Sequence, residues 1–383
     1  MHKDFNYSGL KLGIIGGGQL GKIMSSEAKK MGFVVTILDP TYNSPAAQVS
    51  DKQIVGGFYD KEKLEQLVQE SDVTTFELEN VDTTILKELY DNGHHIHPSP
   101  YIISLIQNKY EQKRLLQSRG IPVPKLKNVV NKDDLESFGF PVVQKAKTGG
   151  YDGRGVFILK SKDDIVNSLE GDSFIEEVVD IDKELAIIVA RNIEGEVSCY
   201  PVVEMLFDER VNICDSVMAP ARISSEVEQK AKDIAKKAIK VLDGVGIYGV
   251  ELFLTKNGEV LLNEIAPRPH NSGHYTLEGC MTSQFEQIIR AVTNLPLGST
   301  RLISPSVMVN LLGESGYEGE PVIEGLHEVL EIEGLSFHFY GKSFTKPFRK
   351  MGHITVLDSS LDEALRKALE AKEILKVKGS KRV

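Results

Sequence analysis

The first hundred residues alternate between short strand-like runs and longer segments with helical periodicity, and this alternation restricts the fold more than any other feature. Four runs are predicted as strands, namely 11–15, 33–38, 73–76 and 94–97. Three segments between them have helical periodicity, namely 19–31, 61–69 and 83–90. Strands that alternate with helices at this spacing form a parallel sheet covered by helices. The sequence therefore predicts an N-terminal doubly wound parallel-sheet domain over residues 1–108.

The pattern changes after residue 108. Pro122 and Pro124 prevent the preceding helix from continuing. A smaller α+β segment follows, and we predict a small central domain over 109–180. Strand-like runs and a long helix then indicate a mixed α+β domain over 181–383, with a small terminal subdomain from about residue 300.

Composition excludes several classes of partner. The chain has 383 residues, with 45 Lys and Arg against 55 Asp and Glu, a net charge of −10. An acidic chain without a local basic patch is a poor polyanion binder, and no apolar stretch approaches a membrane span. Three widely spaced cysteines and no secretory signal at the N-terminus favour a reducing compartment. We therefore expect a cytoplasmic protein with neither nucleic acid nor membrane as a partner.

A glycine-rich turn follows the first predicted strand. Residues Gly16 to Gly21 fit the G-x-G-x-x-G pattern, and Asp39 ends the next strand. This is the dinucleotide fingerprint, in which helix N-terminal amides bind a pyrophosphate and an acidic residue binds a ribose. Another phosphorylated ligand, or a purely structural turn, would also use these glycines. All three interpretations remain open at this point, whereas a P-loop is excluded because Ile23 has no hydroxyl for a metal.

A second glycine-rich segment, TGGYDGRG at 148–155, follows an apolar strand that carries Lys145. Such a loop has bare amides and can close over a polyphosphate, with the lysine supplying positive charge. The alternative is a surface hairpin turn. We favour a lid over a nucleotide.

A hairpin is predicted around Asn257-Gly258, the strongest two-residue turn signal. A two-residue loop there places Glu251 directly opposite Glu264, with Cβ atoms roughly 4.5–5.5 Å apart. Paired carboxylates in apolar strands repel each other, and a divalent cation removes that repulsion. A solvent-facing pair neutralised by lysines and a general acid/base pair are the alternatives. The lysine, the lid and this pair together favour a Mg-ATP site.

On these features the chain resembles the ATP-grasp superfamily and, within it, the 5-(carboxyamino)imidazole ribonucleotide synthase family. The resemblance covers about residues 11–375. It rests on six stretches: IIGGGQLGKI from Ile14, TFELENVD from Thr75, GGYDGRG from Gly149, NEIAPRPHNSGHYT from Asn263, TSQFEQIIRA from Thr282 and RKMGHITV from Arg349. It implies an ATP-grasp fold with a Rossmann-like pre-ATP-grasp domain, a lid domain and a C-terminal domain that carries the metal site.

The resemblance also implies roles for individual residues. The ATP site would comprise Lys109, Lys145, Gly150, Tyr151, Asp152, Gly153, Arg154, Gly155, Val156, Glu176, Glu177, Val178, Val179, Glu184, Asn263 and Glu264. Magnesium would be bound by Glu251 and Glu264. The ribonucleotide would contact Gln19, Leu20, Glu77, Glu79, Tyr151, Arg268, His270, Asn271, His274, Lys342, Arg349 and Lys350. Catalytic roles are expected for Asp152, Arg154, Lys350 and Glu79.

The activity implied is that of an ADP-forming ligase, the ATP- and bicarbonate-dependent carboxylation of 5-aminoimidazole ribonucleotide through carboxyphosphate, by a homodimer. The chain departs from the family pattern at Met205-Leu206-Phe207, where Asn-x-His is usual, and at Lys346-Pro347-Phe348. The alternatives are a biotin carboxylase-like ligase, a formate-dependent transformylase, a non-catalytic nucleotide-binding protein and an NAD(P) oxidoreductase.

Overall fold

The computed structural model describes residue 7 and residues 9–149, 155–208 and 213–382. Its N-terminal part is a parallel sheet in the order β3-β2-β1-β4. The strands are β1 (Lys11–Ile15), β2 (Val34–Asp39), β3 (Lys52–Val55) and β4 (Val73–Phe76). The accompanying helices are α1 (Gln19–Lys30), α2 (Lys61–Glu70), α3 (Thr83–Asp91), α4 (Pro100–Gln107) and α5 (Lys109–Ser118). The predicted parallel sheet is confirmed.

Two details of this sheet differ from the prediction. Strand β3 was not predicted, because it lies at the sheet edge, where only Ile54 of its four residues is buried. The predicted strand 94–97 is reduced to a single parallel bridge between Ile96 and Thr74. Pro98 follows it directly and has no amide with which to extend the ladder.

The central part is a four-stranded antiparallel sheet in the order β5-β8-β6-β7. Its elements are β5 (Leu126–Val129), α6 (Lys132–Phe138), β6 (Val142–Ala146), β7 (Val156–Leu159) and β8 (Ser173–Glu177). A separate core around Leu135, Val142 and Ile175 lies between the sheet and its helix. The glycine-rich segment joins β6 to β7, so this small domain carries the predicted lid.

The remainder of the chain builds a large sheet in the order β14-β13-β9-β11-β12-β15-β18-β17, with β10 beside β9 and with β16 and β19 forming a separate ribbon. The strands are β9 (Ile181–Arg191), β10 (Val197–Cys199), β11 (Val203–Asp208), β12 (Ile213–Ala219), β13 (Gly246–Thr255), β14 (Val260–Ala266), β15 (Ser306–Leu312), β16 (Tyr317–Glu324), β17 (Leu335–Phe339), β18 (Lys350–Leu357) and β19 (Lys376–Arg382). The helices are α7 (Ser225–Leu242), α8 (Thr276–Gly279), α9 (Gln284–Val292), α10 (Leu326–Val329) and α11 (Leu361–Ile374). No helix in the described ranges is long and apolar enough to cross a membrane.

The N-terminal domain is attached to this sheet by a shared apolar core. Leu20 and Met24 of α1 belong to the same buried cluster as Phe285 and Ile289 of α9 and Ile188 of β9. Burial of this much apolar surface fixes the position of the first helix. The glycine-rich turn before α1 therefore lies at a defined place relative to the large sheet.

The β13–β14 hairpin has the predicted glutamate pairing, but its turn differs from the predicted one. Glu251 is directly opposite Glu264, as predicted. The turn, however, has three residues, because the Gly258 amide donates to the Thr255 carbonyl at 2.9 Å and Gly258 has a φ of 80°. The turn shifts the pairing by one residue, and a bulge at Asn263 shifts it back. The three-residue turn and the bulge thus offset each other, so Glu251 and Glu264 remain directly opposed.

Gly258 provides a test of this turn. A Cβ at Gly258 would meet no atom within 4 Å, and the same holds for Gly57, which lacks the positive φ. Gly258→Ala should therefore lower the free energy of unfolding by about 1 kcal/mol through backbone strain alone. The matched Gly57→Ala should leave it unchanged or raise it by about 0.5 kcal/mol. Urea unfolding measures both, and equal effects would contradict the three-residue turn.

Candidate active site

A cavity of about 820 Å³ lies where the three sheets meet. Strand ends of the N-terminal sheet, the lid sheet and the β13–β14 hairpin all contribute to its wall. The predicted residues that line it are Gln19, Leu20, Glu77, Glu79, Lys109, Lys145, Val156, Glu176, Glu177, Val178, Val179, Glu184, Glu251, Asn263, Glu264, Arg268, His270, Asn271, His274 and Lys350. Residues distant in sequence thus share one cleft.

A few predicted residues are not placed in this wall. Gly150, Tyr151, Asp152, Gly153 and Arg154 lie outside the described residues. Three others are described but do not line the cavity, namely Gly155, Lys342 and Arg349.

The opposed glutamates are held by cations and amides. Both oxygens of Glu264 accept from Lys109 Nζ, at 2.9 and 2.8 Å. Glu251 Oε1 lies 3.3 Å from His270 Nε2, and Glu251 Oε2 accepts from Asn263 Nδ2 at 3.3 Å. Burial raises the pKa of Glu251, but the hydrogen bond and charge of His270 and the charge of Lys109 outweigh it. The pKa of Glu251 therefore lies below its usual range, and the carboxylate is ionised.

The same pair fits a divalent cation that is shared with a nucleotide. In the described part of the chain, no group of three or more His, Cys, Asp or Glu side chains could hold a metal. Mg²⁺ typically takes one or two carboxylates and completes its shell with water and substrate phosphates. Two ionisable carboxylates on adjacent strands match that requirement. A site that bound the metal through protein ligands alone would need more groups than these two. Lys109 Nζ lies 2.8 Å from Glu264 Oε2, beside the pair.

Glu176, at the end of β8, binds two lysines at once. Lys145 Nζ lies 2.6 Å from Glu176 Oε2, and Lys113 Nζ donates to Glu176 Oε1. Lys145 also donates to Asn263 Oδ1 at 3.3 Å, so it bridges the lid sheet and the hairpin. Burial raises the pKa of Glu176, but the two lysines outweigh it and lower it overall. Sequence reasoning missed Lys113, although it follows Lys109 by four residues and so shares its helix face.

The cleft has an apolar slot beside these charges. The slot is lined by five apolar side chains, of which only Val178 was predicted: Val143, Ile158, Val178, Ile181 and Phe253. Val143 shares one face of β6 with Lys145, and Phe253 shares one face of β13 with Glu251, because residues two apart on a strand point to the same side. A planar apolar ring fits between such side chains, next to the backbone that follows β8.

Glu184 lies in the same wall, on β9. Burial, followed by repulsion from Glu251, raises the pKa of Glu184 to about 7, although Lys145 opposes the shift. Glu184 and Glu77 are therefore the two acidic groups of this wall with a pKa raised to about 7, so both can take up a proton near neutrality.

The glycine-rich turn before α1 is occupied by the chain's own carboxylates. Glu77 accepts from the amides of Gly18, at 2.5 Å, and Leu20, at 3.2 Å. Asp39 accepts from the amides of Gly17 and Thr41, at 2.9 and 2.8 Å. The helix N-terminus and the acid of the dinucleotide fingerprint are thus both engaged within the protein. The structural interpretation of this turn is favoured over a pyrophosphate site.

Glu79 and Arg268 form a two-pronged ion pair across the cleft. Arg268 Nε and Nη2 donate to the two carboxylate oxygens of Glu79 at 2.5 and 3.2 Å. Burial raises the pKa of Glu79, but the charge and hydrogen bond of Arg268 outweigh it, and the pKa falls to about 2. Glu77, two residues away, has the opposite shift, because burial raises its pKa to about 7 against the pull of the glycine amides.

The histidines of the PRPHNSGH segment are held by Gln284. The Gln284 Oε1 atom accepts from the His270 amide at 3.0 Å, and its Nε2 donates to the His270 carbonyl at 2.8 Å. The same Nε2 lies 3.3 Å from His274 Nδ1, so that nitrogen is the acceptor and the ring proton is on Nε2. Burial, and then the charge of Lys350, lowers the pKa of His274 to about 3. His274 is therefore a neutral donor.

Three of the basic residues predicted for the ribonucleotide, Lys342, Arg349 and Lys350, differ in their positions. Lys350 lines the cavity, and Lys342 Nζ donates to the Lys350 carbonyl at 2.8 Å. Arg349 donates to the Phe344 carbonyl at 2.8 Å. Phe348, which precedes Arg349, has a φ of 63°, a conformation that L-residues rarely adopt. At the other departure from the family pattern, Met205 and Phe207 line the cavity as apolar side chains.

Three family profiles match consecutive parts of the chain. The ribonucleotide synthetase preATP-grasp domain matches residues 10–107. The ATP-grasp domain matches residues 114–285. The phosphoribosylaminoimidazole carboxylase C-terminal domain matches residues 306–367.

Known proteins match this chain over nearly its whole length. The N5-carboxyaminoimidazole ribonucleotide synthase of Bacillus subtilis is 41% identical over 371 residues, 95% of either chain. The crystal structure of the corresponding synthetase from Thermotoga maritima has 58% identity and a TM-score of 0.91, and the match covers 97% of this chain and 100% of that one. The synthase of Aspergillus clavatus, in complex with ADP and 5-aminoimidazole ribonucleotide, has 37% identity and a TM-score of 0.88 over 96% and 99% of the two chains.

The raised pKa of Glu184 predicts a pH-dependent stability. The folded protein binds this proton more tightly than the unfolded chain, so the stabilisation is fully present below the ordinary value of 4.5 and is lost as pH rises through about 7. Glu184→Gln should flatten the decline in urea midpoint between pH 5 and 7.5, leaving the part due to Glu77. Glu79→Gln is the control, because a group with a pKa of about 2 titrates below this window. A decline unchanged by Glu184→Gln would contradict the assignment.

Proposed function

The chain belongs to the N5-carboxyaminoimidazole ribonucleotide synthase family of ATP-grasp enzymes, and we propose that the cleft between its three sheets is where it acts. The activity of the family is the ATP-dependent, ADP-forming carboxylation of 5-aminoimidazole ribonucleotide in purine biosynthesis. One observation carries the assignment to the cleft: a single cavity joins Lys109 of α5, Lys145 of the lid sheet, the opposed glutamates and the strand ends of the N-terminal domain.

We propose bicarbonate as the carboxyl donor. A bicarbonate oxygen attacks the γ-phosphorus of ATP, the bond to ADP breaks, and carboxyphosphate forms. The exocyclic amine of the ribonucleotide then forms a bond to the carboxyl carbon, phosphate leaves, and the nitrogen loses a proton. Such chemistry needs alignment and charge stabilisation more than covalent participation by the protein.

The nucleotide half of the cleft follows from its contacts. Lys145 and Lys109 supply positive charge for the phosphates, and the apolar slot beside Val178 and Val179 accepts the adenine ring. The magnesium ion implied by the family would be held by Glu251 and Glu264 and would neutralise developing charge on the transferred phosphoryl group. Lys109 would then leave Glu264 and bind the phosphates. The lid, with Asp152 and Arg154 outside the described residues, would exclude water from carboxyphosphate.

The other half of the cleft suits the ribonucleotide. Arg268 and Lys350 supply positive charge near the N-terminal domain, and His274 supplies a neutral N–H donor. Glu79 is a poor base, because both of its oxygens accept from Arg268 and its pKa is about 2. We propose that Glu79 orients Arg268, which leaves Asp152 to accept the amine proton.

The alternatives fit less well. An NAD(P) oxidoreductase would need the glycine-turn amides and Asp39, which Glu77 and the turn itself already engage. Another ATP-grasp ligase would use the same nucleotide half and differ only in its second substrate. A cytoplasmic location and a homodimer complete the proposal; the three free cysteines agree with a reducing compartment.

The test is the release of ADP from Mg-ATP. We expect release only when bicarbonate and 5-aminoimidazole ribonucleotide are both present, because the amine must capture the carboxyl group for turnover to continue. Each substrate is omitted in turn as a control. Turnover that ignores the ribonucleotide but responds to another amine or acid would contradict the substrate, and turnover without bicarbonate would contradict the carboxyl donor.

A further inference from the structure

Lys113 is a buried lysine that lies outside the cavity wall. It is 3% exposed, and Glu176, to which it donates, is 2% exposed. Lysine is almost never buried to this extent unless it is paired. Lys109, one helical turn earlier on α5, reaches into the cavity and binds Glu264. The same face of α5 therefore carries Lys109, which lines the cavity, and Lys113, which lies outside the cavity wall.

The carboxylate of Glu176 is divided between two lysines. Its Oε1 accepts from Lys113 and its Oε2 from Lys145, at 2.6 Å in the latter pair. Lys145 has a second, weaker partner in Asn263 Oδ1 at 3.3 Å. Lys145 lies in the cavity wall, and in the proposed function it also binds the nucleotide phosphate.

We propose that Lys113 is a positioning residue that keeps Lys145 available to the nucleotide phosphates by sharing the charge of Glu176. Without Lys113, Lys145 would be the only cation on a buried carboxylate. A phosphate would then have to compete with the full charge of Glu176 for the same ammonium group. With Lys113 in place, the carboxylate stays ionised and satisfied when Lys145 turns to the phosphate.

The electrostatics of the cluster agree with this role. Burial, and then the charge of Lys145, lowers the pKa of Lys113 to about 8, although Glu176 and Glu264 oppose the shift. Lys113 is therefore still mostly cationic near neutral pH, where Glu176 needs a permanent partner. The inference rests on the proposed nucleotide site and not on the identity of the second substrate.

The direct test is ADP binding to Lys113→Met, measured by calorimetry in the presence of Mg²⁺ with no ribonucleotide. We expect the Kd for ADP to rise by about tenfold or more, because Lys145 is retained by Glu176. The KM for the ribonucleotide, measured in the complete reaction, should change by less than about twofold. Unchanged ADP affinity in Lys113→Met would overturn the proposal.

A second variant separates positioning from simple destabilisation. Lys113→Met/Glu176→Gln leaves no unpaired buried ion and removes the competitor for Lys145, so it should fold and recover most of the lost ADP affinity. Lys113→Arg keeps the charge and should also restore binding. A double variant that binds ADP no better than Lys113→Met would overturn the role assigned to Glu176.

The chain offers a matched control. Glu204 is 3% exposed and is likewise shared by two cations, Lys183 and Arg222, outside the cavity wall. Arg222→Met should lower thermal stability and leave the Kd for ADP within about twofold, because no nucleotide group depends on that pair. An equal loss of ADP affinity in Arg222→Met and Lys113→Met would overturn the proposal. Failure of the proposed carboxylation would instead appear in the unmodified protein, as ADP release that ignores the ribonucleotide.

Discussion

Two carboxylates face each other across adjacent strands of the large sheet, and the rest of the site is arranged around the need to neutralise them. Glu251 and Glu264 are directly opposed. Like charges in this position destabilise a sheet unless cations or hydrogen-bond donors approach. Lys109, His270 and Asn263 fill that role here. Each comes from a segment that also belongs to the cleft, so the stability of the pair and the geometry of the site have the same origin.

The ion pairs form a chain that links the domains. Lys109 and Lys113 on α5 contact carboxylates of the large sheet and of the lid sheet, respectively. Lys145 connects the lid sheet with Asn263 of the hairpin. On the other side, Arg268, which follows β14 of the large sheet, pairs with Glu79 of the N-terminal domain. Partly desolvated pairs of this kind are strong enough to orient side chains, and a phosphate or a metal ion can replace them one at a time.

The sequence predicted those parts of the fold that follow from local periodicity. The parallel sheet, strand β6 with Lys145 and the opposed glutamates were all predictable, because alternation and a strong turn signal specify them. The edge strand β3 was missed, since an exposed edge has no continuous apolar run. The bulge at Asn263 and the three-residue turn were also missed, because each depends on pairing across the sheet and not on the local sequence.

Side-chain partners were harder to predict than positions in the wall. The residues expected at the cleft mostly line it, but their contacts arise from tertiary packing. Glu77 accepts hydrogen bonds from the glycine-turn amides, for which the G-x-G-x-x-G pattern predicted a ligand. Lys113 donates to Glu176 from outside the cavity wall. Neither contact has a signal in one sequence, because the partners are separated by tens of residues and meet only when the three sheets assemble.

The central claim is that Glu251 and Glu264 hold a divalent cation together with the nucleotide phosphates. Electron paramagnetic resonance with Mn²⁺ in place of Mg²⁺ measures this directly, with and without ADP. The account predicts tight Mn²⁺ binding only when ADP is present, because two carboxylates alone do not complete the coordination shell, and it predicts loss of that binding in Glu264→Gln. Equal Mn²⁺ affinity in the unmodified protein and in Glu264→Gln, both with ADP, would contradict it.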